Sequence, residues 1–316
     1  MANNERDPLF DLLARIRNPV SYREIIAQCL RHIYMGDPFA SDEGASVPSP
    51  GAELMEKVRL TERIIAGLRC VFYAPAASGD EALPVLLYMH GGGFVVGCSE
   101  DTDYITRRIC FENNLVVVSI NYPLAPESVF PEALNRCLNV ERELRSNADS
   151  FQFDFEELLL CGDSAGANLA AGVALRLSER GTPAAGLIML APWLDMNVEL
   201  YDSFNRLAPD GIVYDAAFVG YARGAYVLHA DWNNPLASPL YCDYSKLPPA
   251  LLVTGTADPV FDQSGAFVSR AQEAGINNVE LASFNGMPHC FYSFPGLFAE
   301  TDECFERIAG FIQGLI

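Results

Sequence analysis

Leu158-Leu159-Leu160-Cys161-Gly162-Asp163-Ser164-Ala165-Gly166 runs from an apolar stretch straight into Gly-x-Ser-x-Gly. An apolar strand that ends in this pattern and continues as a helix turns sharply at the serine. The two glycines remove the Cβ atoms that would collide where strand and helix pass each other. Such a turn exposes the Ser164 hydroxyl at a helix N-terminus, which is the requirement for a nucleophile. The pattern also occurs by chance, so its weight depends on what accompanies it.

Outward from this turn, short apolar runs alternate with longer amphipathic segments. The expected strands are Leu68–Tyr73, Val85–Met89, Leu115–Ile120, Leu158–Cys161, Leu187–Leu190, Leu251–Val253 and Val279–Phe284. The expected helices are Tyr104–Phe111, Pro131–Leu144, Ala165–Ser178, Gln263–Ala274 and Asp302–Ile312. Strand-helix alternation builds right-handed βαβ units, hence a mainly parallel central sheet with helices on both faces. Residues 199–241, rich in Tyr, Phe, Asp and Asn, are too long for a plain connection. They are expected to form a helical cap over the carboxyl end of the sheet, where open α/β folds bind ligands. Residues 1–55 are expected to be a helical arm contributing to that cap, from the helical spacing of Leu9–Leu13 and Ile25–Tyr34. The catalytic body is then 56–198 together with 242–316.

Composition narrows the chemistry. The chain has 316 residues, half of them hydrophobic, and a formal charge of −20. That charge repels phosphate backbones and anionic lipid surfaces, so neither nucleic acid nor membrane is an expected partner, and an uncharged small molecule is. Nine cysteines without Cys-x-x-Cys pairing read as reduced, packed thiols. No basic start followed by an apolar core stands at Met1–Pro8, and no apolar run approaches ~20 residues. A cytoplasmic location is the expectation.

Directly after Val85–Met89 stands His90-Gly91-Gly92-Gly93-Phe94. Consecutive glycines let backbone N–H groups converge on one point with room for a substrate oxygen, which acyl transfer needs where its oxyanion forms. A base should accompany the serine, and only four histidines exist. His32 falls in the arm. His90 is placed to pin the glycine loop, and His229 falls in the cap. His289, in Asn285-Gly286-Met287-Pro288-His289 after the last strand, is the expected base. The carboxylate that orients it should end a strand between serine and histidine. Asp258 and Asp262 both follow Leu251–Val253; Asp258 is the expected orienter, with Asp262 read as the N-cap of the next helix.

Together His90–Phe94, Gly162–Gly166, Asp258–Asp262 and Gly286–His289 resemble the hormone-sensitive-lipase family of carboxylesterases, in its bacterial acetyl-esterase-like branch, over roughly Leu68 to the C-terminus. The resemblance implies an α/β-hydrolase fold, hydrolysis of short-chain acyl esters by a Ser164–His289–Asp258 triad, and no cofactor or metal. It implies oxyanion donors at the N–H groups of Gly92, Gly93 and Ala165, with Gly91 shaping the turn. Tyr122-Pro123-Leu124-Ala125-Pro126-Glu127 resembles a further family segment and implies a supporting role for Glu127. A homodimer is also implied. Ala167, Pro123 and Cys290 depart from the family pattern; Cys290, beside the base, reads as a packed thiol or a narrower pocket wall. Two alternatives stay open: an amidase or deformylase with the same triad, and a non-catalytic small-molecule receptor, which the intact His289 opposes.

Overall fold

The structure is a computed structural model and describes residues 51–77, 79, 82–210 and 214–316. The expected N-terminal arm lies outside the described residues up to residue 50. Helix α1 (Ala52–Lys57) spans the expected boundary at 55/56 and packs on helix α2 (Asp103–Asn113). The core of the molecule is one eight-stranded sheet: β1 (Val58–Ile65), β2 (Leu68–Pro75), β3 (Leu83–Met89), β4 (Val116–Ile120), β5 (Phe153–Asp163), β6 (Gly186–Leu190), β7 (Ala250–Gly255) and β8 (Val279–Phe284). Its order is β1-β2-β4-β3-β5-β6-β7-β8. The first two pairings are antiparallel, and β4 through β8 run parallel.

The sheet separates two apolar layers, and strand periodicity sorts residues between them. Leu87 and Met89 of β3 face the side covered by α3 (Glu132–Ser146), α5 (Ala165–Glu179) and α8 (Phe261–Glu273), whereas Leu86 and Tyr88 face α2 and α9 (Glu300–Gln313). Because both faces are covered, the central strands read as unbroken apolar runs. The seven expected strands and five expected helices all occur, with ends moved by a few residues. β5 starts earlier than expected, at Phe153, directly after the short helix α4 (Ala148–Phe151).

Strand β1 has no counterpart among the expected strands. It lies at the sheet edge with residues 59–64 exposed, so Val58-Arg-Leu-Thr-Glu-Arg-Ile-Ile carries no apolar run. A two-residue turn at Ala66 (φ 48°) and Gly67 (φ 78°) returns it to β2. Positive φ at both positions matches the strand twist of a tight hairpin. The Ala66 N–H donates to Glu143 (2.9 Å), and Arg136 donates to the Ala66 carbonyl (2.9 Å).

Within 199–241 the described residues form α6 (Asp202–Leu207), α7 (Ala216–Tyr226) and short 3-10 turns, with Asp215 capping α7 through its bond from the Phe218 N–H (2.8 Å). Polar ties join this segment to the body. The Asp262 carboxylate accepts from the Ser203 N–H at the start of α6 (2.7 Å). Asp195 accepts from the Tyr201 and Tyr241 hydroxyls (2.6 and 2.9 Å). Arg223 of α7 donates to the Met196 carbonyl (2.8 Å) and pairs with Glu199 inside the segment. Asp262 is therefore not the expected N-cap of α8: that helix begins at Phe261, and the carboxylate turns outward to the cap instead.

Candidate active site

β5 delivers Ser164 at φ 53° and ψ −116°, a backbone strained for any residue with a side chain. The turn is over-determined by its surroundings. A Cβ on Gly162 would stand 2.4 Å from the Gly166 carbonyl carbon, and one on Gly166 would stand 2.0 Å from the Met89 carbonyl oxygen. The Ser164 N–H donates to the Leu190 carbonyl of β6 (2.8 Å). Strand and helix thus pass at a separation only glycine permits, and the serine hydroxyl emerges at the N-terminus of α5.

Three side chains far apart in sequence meet there. Ser164 Oγ–H donates to His289 Nε2 over 3.0 Å, and His289 Nδ1–H donates to Asp258 Oδ2 over 2.8 Å. Asp258 Oδ1 accepts from the Val260 N–H (2.9 Å), which fixes the carboxylate. Relative exposures are 5 % for Ser164, 3 % for His289 and 0 % for Asp258, so water competes little for these bonds. Burial disfavours a charged His289, yet the adjacent Asp258 carboxylate outweighs it, aided by Cys290; the imidazole pKa lies well above its ordinary value.

The glycine loop after β3 lines the same cleft as the hydroxyl. Gly92 (φ 111°) and Gly93 (φ 61°) occupy backbone regions that favour glycine. The N–H groups of Gly92, Gly93 and Ala165 donate to no other group among the described residues. His90 stays neutral, because burial pushes its pKa down to about 4, and its Nδ1–H donates to the Gly91 carbonyl (2.8 Å). Its ring stacks on Tyr122 (4.2 Å between centroids). His229 is exposed in the cap against Trp232, and His32 lies outside the described residues.

Glu127 requires a correction. It is exposed on a turn and makes no side-chain hydrogen bond among the described residues. The loop is braced instead by Tyr122, whose hydroxyl donates to the His90 carbonyl (2.7 Å), and by Asp163, whose Oδ1 accepts from the Gly91 N–H (2.8 Å) and the Tyr88 hydroxyl (2.8 Å). Sequence reasoning passed over both. Tyr122 stands in the same segment as Glu127, and Asp163 occupies a variable position of Gly-x-Ser-x-Gly; a polar residue about to be buried was the available signal.

The cleft above Ser164 is walled by Gly92, Gly93, Thr102, Cys290 and Phe294 and roofed by Tyr214 and Phe218 of the cap. The roof is close: a Cβ on Gly93 would lie 2.9 Å from the Phe218 ring and 3.0 Å from Ala222. The Tyr214 ring stands 4.6 Å from His289. Of the other aromatic residues in this region, Phe94 is buried against Tyr226 (3.7 Å) and Tyr221 points to solvent. Cys290 is buried, and burial raises its thiol pKa despite the neighbouring His289, so it is a packed thiol in the cleft wall. No group of three or more His, Cys, Asp or Glu side chains among the described residues has the arrangement to hold a metal ion. No helix among them is long and apolar enough to cross a membrane.

Comparison with known proteins gives one consistent result. Residues 86–293 match the family model for the alpha/beta hydrolase fold. The chain is 31% identical over 225 residues to an arylesterase of Saccharolobus solfataricus, covering 71% of this chain and 72% of that protein. It is 31% identical over 243 residues to an ethyl acetate hydrolase of Pseudomonas putida, covering 76% and 74%. Its fold superimposes with a TM-score of 0.80 on a hormone-sensitive lipase from a metagenome library, at 28% identity, covering 98% of this chain and 97% of that one. An elbow serine, a glycine loop and a buried Ser-His-Asp relay on a scaffold shared with these relatives assign the chain to the α/β-hydrolase family, in its hormone-sensitive-lipase-like branch.

Proposed function

We propose that the chain is a serine carboxylesterase that hydrolyses short-chain acyl esters through an acyl-enzyme. Ser164 is the nucleophile, His289 the general base and Asp258 the group that orients and stabilises its imidazolium. The observation that carries this reading is the unbroken relay of hydrogen bonds from Ser164 Oγ through His289 to Asp258, at 3.0 and 2.8 Å. His289 Nε2 removes the hydroxyl proton as Oγ attacks the ester carbonyl. The oxyanion settles against the N–H groups of Gly92, Gly93 and Ala165, each worth about 3 kcal/mol where it meets the developing charge. His289 returns the proton to the departing alcohol, and water repeats the sequence on the acyl-enzyme. Asp258 remains ionised throughout.

The short-acyl preference is supported by the tight roof over Gly93 and by the relatives, which include an ethyl acetate hydrolase and an acetyl esterase of Salmonella schwarzengrund. We place the enzyme in the cytoplasm and, as the resemblance implies, in a homodimer. Turnover of p-nitrophenyl esters from acetate to palmitate tests the assignment. The reading expects kcat/KM to peak at short acyl groups; a maximum at long chains overturns the acyl assignment. Anilide cleavage equal to or faster than that of the matching aryl acetate makes the enzyme an amidase instead.

A further inference from the structure

Oxyanion donors work only if their N–H bonds already point at the site before charge develops. In the loop after β3 the direction of each N–H can be read from its own peptide unit, because carbonyl and N–H of a trans peptide point in opposite directions; none of these peptides is cis. The Gly92 carbonyl, in the unit that bears the Gly93 N–H, accepts from the N–H groups of Val95 (3.1 Å) and Val96 (3.0 Å). The Gly91 carbonyl, in the unit that bears the Gly92 N–H, accepts from the His90 ring (2.8 Å). The preceding unit is gripped at both ends: Tyr122 donates to the His90 carbonyl (2.7 Å), and the Gly91 N–H donates to Asp163 Oδ1 (2.8 Å). Three successive peptide planes are therefore held, and the last two leave their N–H groups unpaired.

One of these grips differs from the others. Tyr122, His90, Val95 and Val96 belong to the loop or to the segment beside it, whereas Asp163 is covalently joined to Ser164. The residue is 5 % exposed, and its carboxylate is fixed from a second side by the Tyr88 hydroxyl on β3 (2.8 Å). The fit leaves no slack, since a Cβ on Gly91 would stand 2.2 Å from Asp163 Oδ2. This explains the first glycine of the loop, which supplies no oxyanion donor: it makes room for the carboxylate. The mechanism otherwise has no use for a buried carboxylate beside the nucleophile.

We propose that Asp163 is a positioning residue that locks the oxyanion loop to the nucleophile turn, so that the donor N–H groups and the attacking oxygen keep one fixed separation. The inference rests on the esterase reading. Both bonds run to the same oxygen, so an amide with an oxygen in that place keeps the lock while a methyl group does not. Asp163→Ala is expected to lower kcat about tenfold to a hundredfold with KM within about threefold, the signature of an interaction expressed in the transition state. Asp163→Asn is expected to recover kcat to within a few-fold of the parent. Circular dichroism and stoichiometric labelling of Ser164 by a fluorophosphonate establish that each variant is folded. If Asp163→Ala does not fold, Tyr88→Phe, which frees one side of the carboxylate, carries the test with an expected smaller loss confined to kcat.

The lock is refuted if folded Asp163→Ala keeps the parent kcat, if the loss falls on KM alone, or if Asp163→Asn is as impaired as Asp163→Ala. In the absence of folded Asp163→Ala, an unchanged kcat in Tyr88→Phe refutes it. A parent enzyme that turns over no ester sinks the esterase reading; an active parent indifferent to these substitutions sinks only the lock.

Discussion

The floor and the roof of the cleft are built on different terms. Below the substrate, Ser164, Asp258, His289 and the glycine loop sit at the ends of β5, β7, β8 and β3, and backbone geometry leaves each side chain little choice. Above it, α6 and α7 pack Phe204, Phe218, Val219 and Ala222 into the larger apolar layer and add polar ties to the body. Among the described residues, buried polar atoms without a hydrogen-bond partner occur in both parts: the hydroxyls of Tyr214 and Tyr226 and the indole nitrogen of Trp232 above, and Ser119, Asn168, Thr254 and Ser264 among those below. The floor is thus fixed by main chain at strand ends, and the roof by the side chains of a long insertion. On the proposed reading, the floor sets the reaction and the roof the choice of ester.

Substitutions in the floor should therefore cost orders of magnitude whatever the ester, and the largest loss is expected at the elbow. Gly166→Ala drives a methyl group into the Met89 carbonyl, main chain that cannot swing aside. Overpacking of this kind costs about 3 kcal/mol or more, so Tm should fall by several degrees and activity should vanish; differential scanning calorimetry with a parallel rate assay reads both. Next comes Asp258→Asn. Without the carboxylate the imidazole takes the wrong tautomer, and kcat should fall about 10⁴-fold at unchanged fold.

The pH profile follows from the same pair. His289 must be neutral to accept the Ser164 proton, and Asp258 raises its pKa above the ordinary ~6.5. The ascending limb of kcat/KM against pH should then lie above ~6.5; a limb at or below that value contradicts the assigned balance between carboxylate and burial.

Roof substitutions should act differently. Phe218→Ala opens space over Gly93 and is expected to shift the acyl-length optimum by about two carbons, with kcat/KM for the best ester changing less than about tenfold. A uniform loss across all esters would erase the proposed division. The smallest effect is expected from Tyr214→Phe, which removes a buried hydroxyl that bonds to nothing among the described residues. Stability should be unchanged or higher by a few tenths of a kcal/mol, and a drop in Tm of several degrees would mean that the hydroxyl has a partner after all.

How far the sequence could be read divides along the same line. The sheet was legible because both of its faces are covered, which turns central strands into apolar runs bounded by glycine and proline. Strand β1 was not, because an exposed edge strand has no reason to be apolar. The elbow and the glycine loop were legible because only glycine tolerates the close approaches there, so the requirement is written in the sequence itself. The pairing of Asp258 with His289 was legible from strand ends. Asp262 was misread because its partner, the Ser203 N–H, comes from a segment 59 residues away whose docking no local pattern encodes. Glu127 was assigned by resemblance, and its neighbour Tyr122 makes the contact. Asp163 was overlooked because its two bonds reach back to β3, again a matter of tertiary placement.

The proposed chemistry starts at a single oxygen atom, Ser164 Oγ. Treating the enzyme with a fluorophosphonate, digesting it and locating the adduct by mass spectrometry, alongside the turnover of Ser164→Ala, tests it most directly. One adduct per chain on Ser164, and a kcat lowered by about six orders of magnitude in Ser164→Ala, is the predicted result. An adduct on another residue, or a folded Ser164→Ala protein that still hydrolyses p-nitrophenyl acetate at a comparable rate, would contradict it.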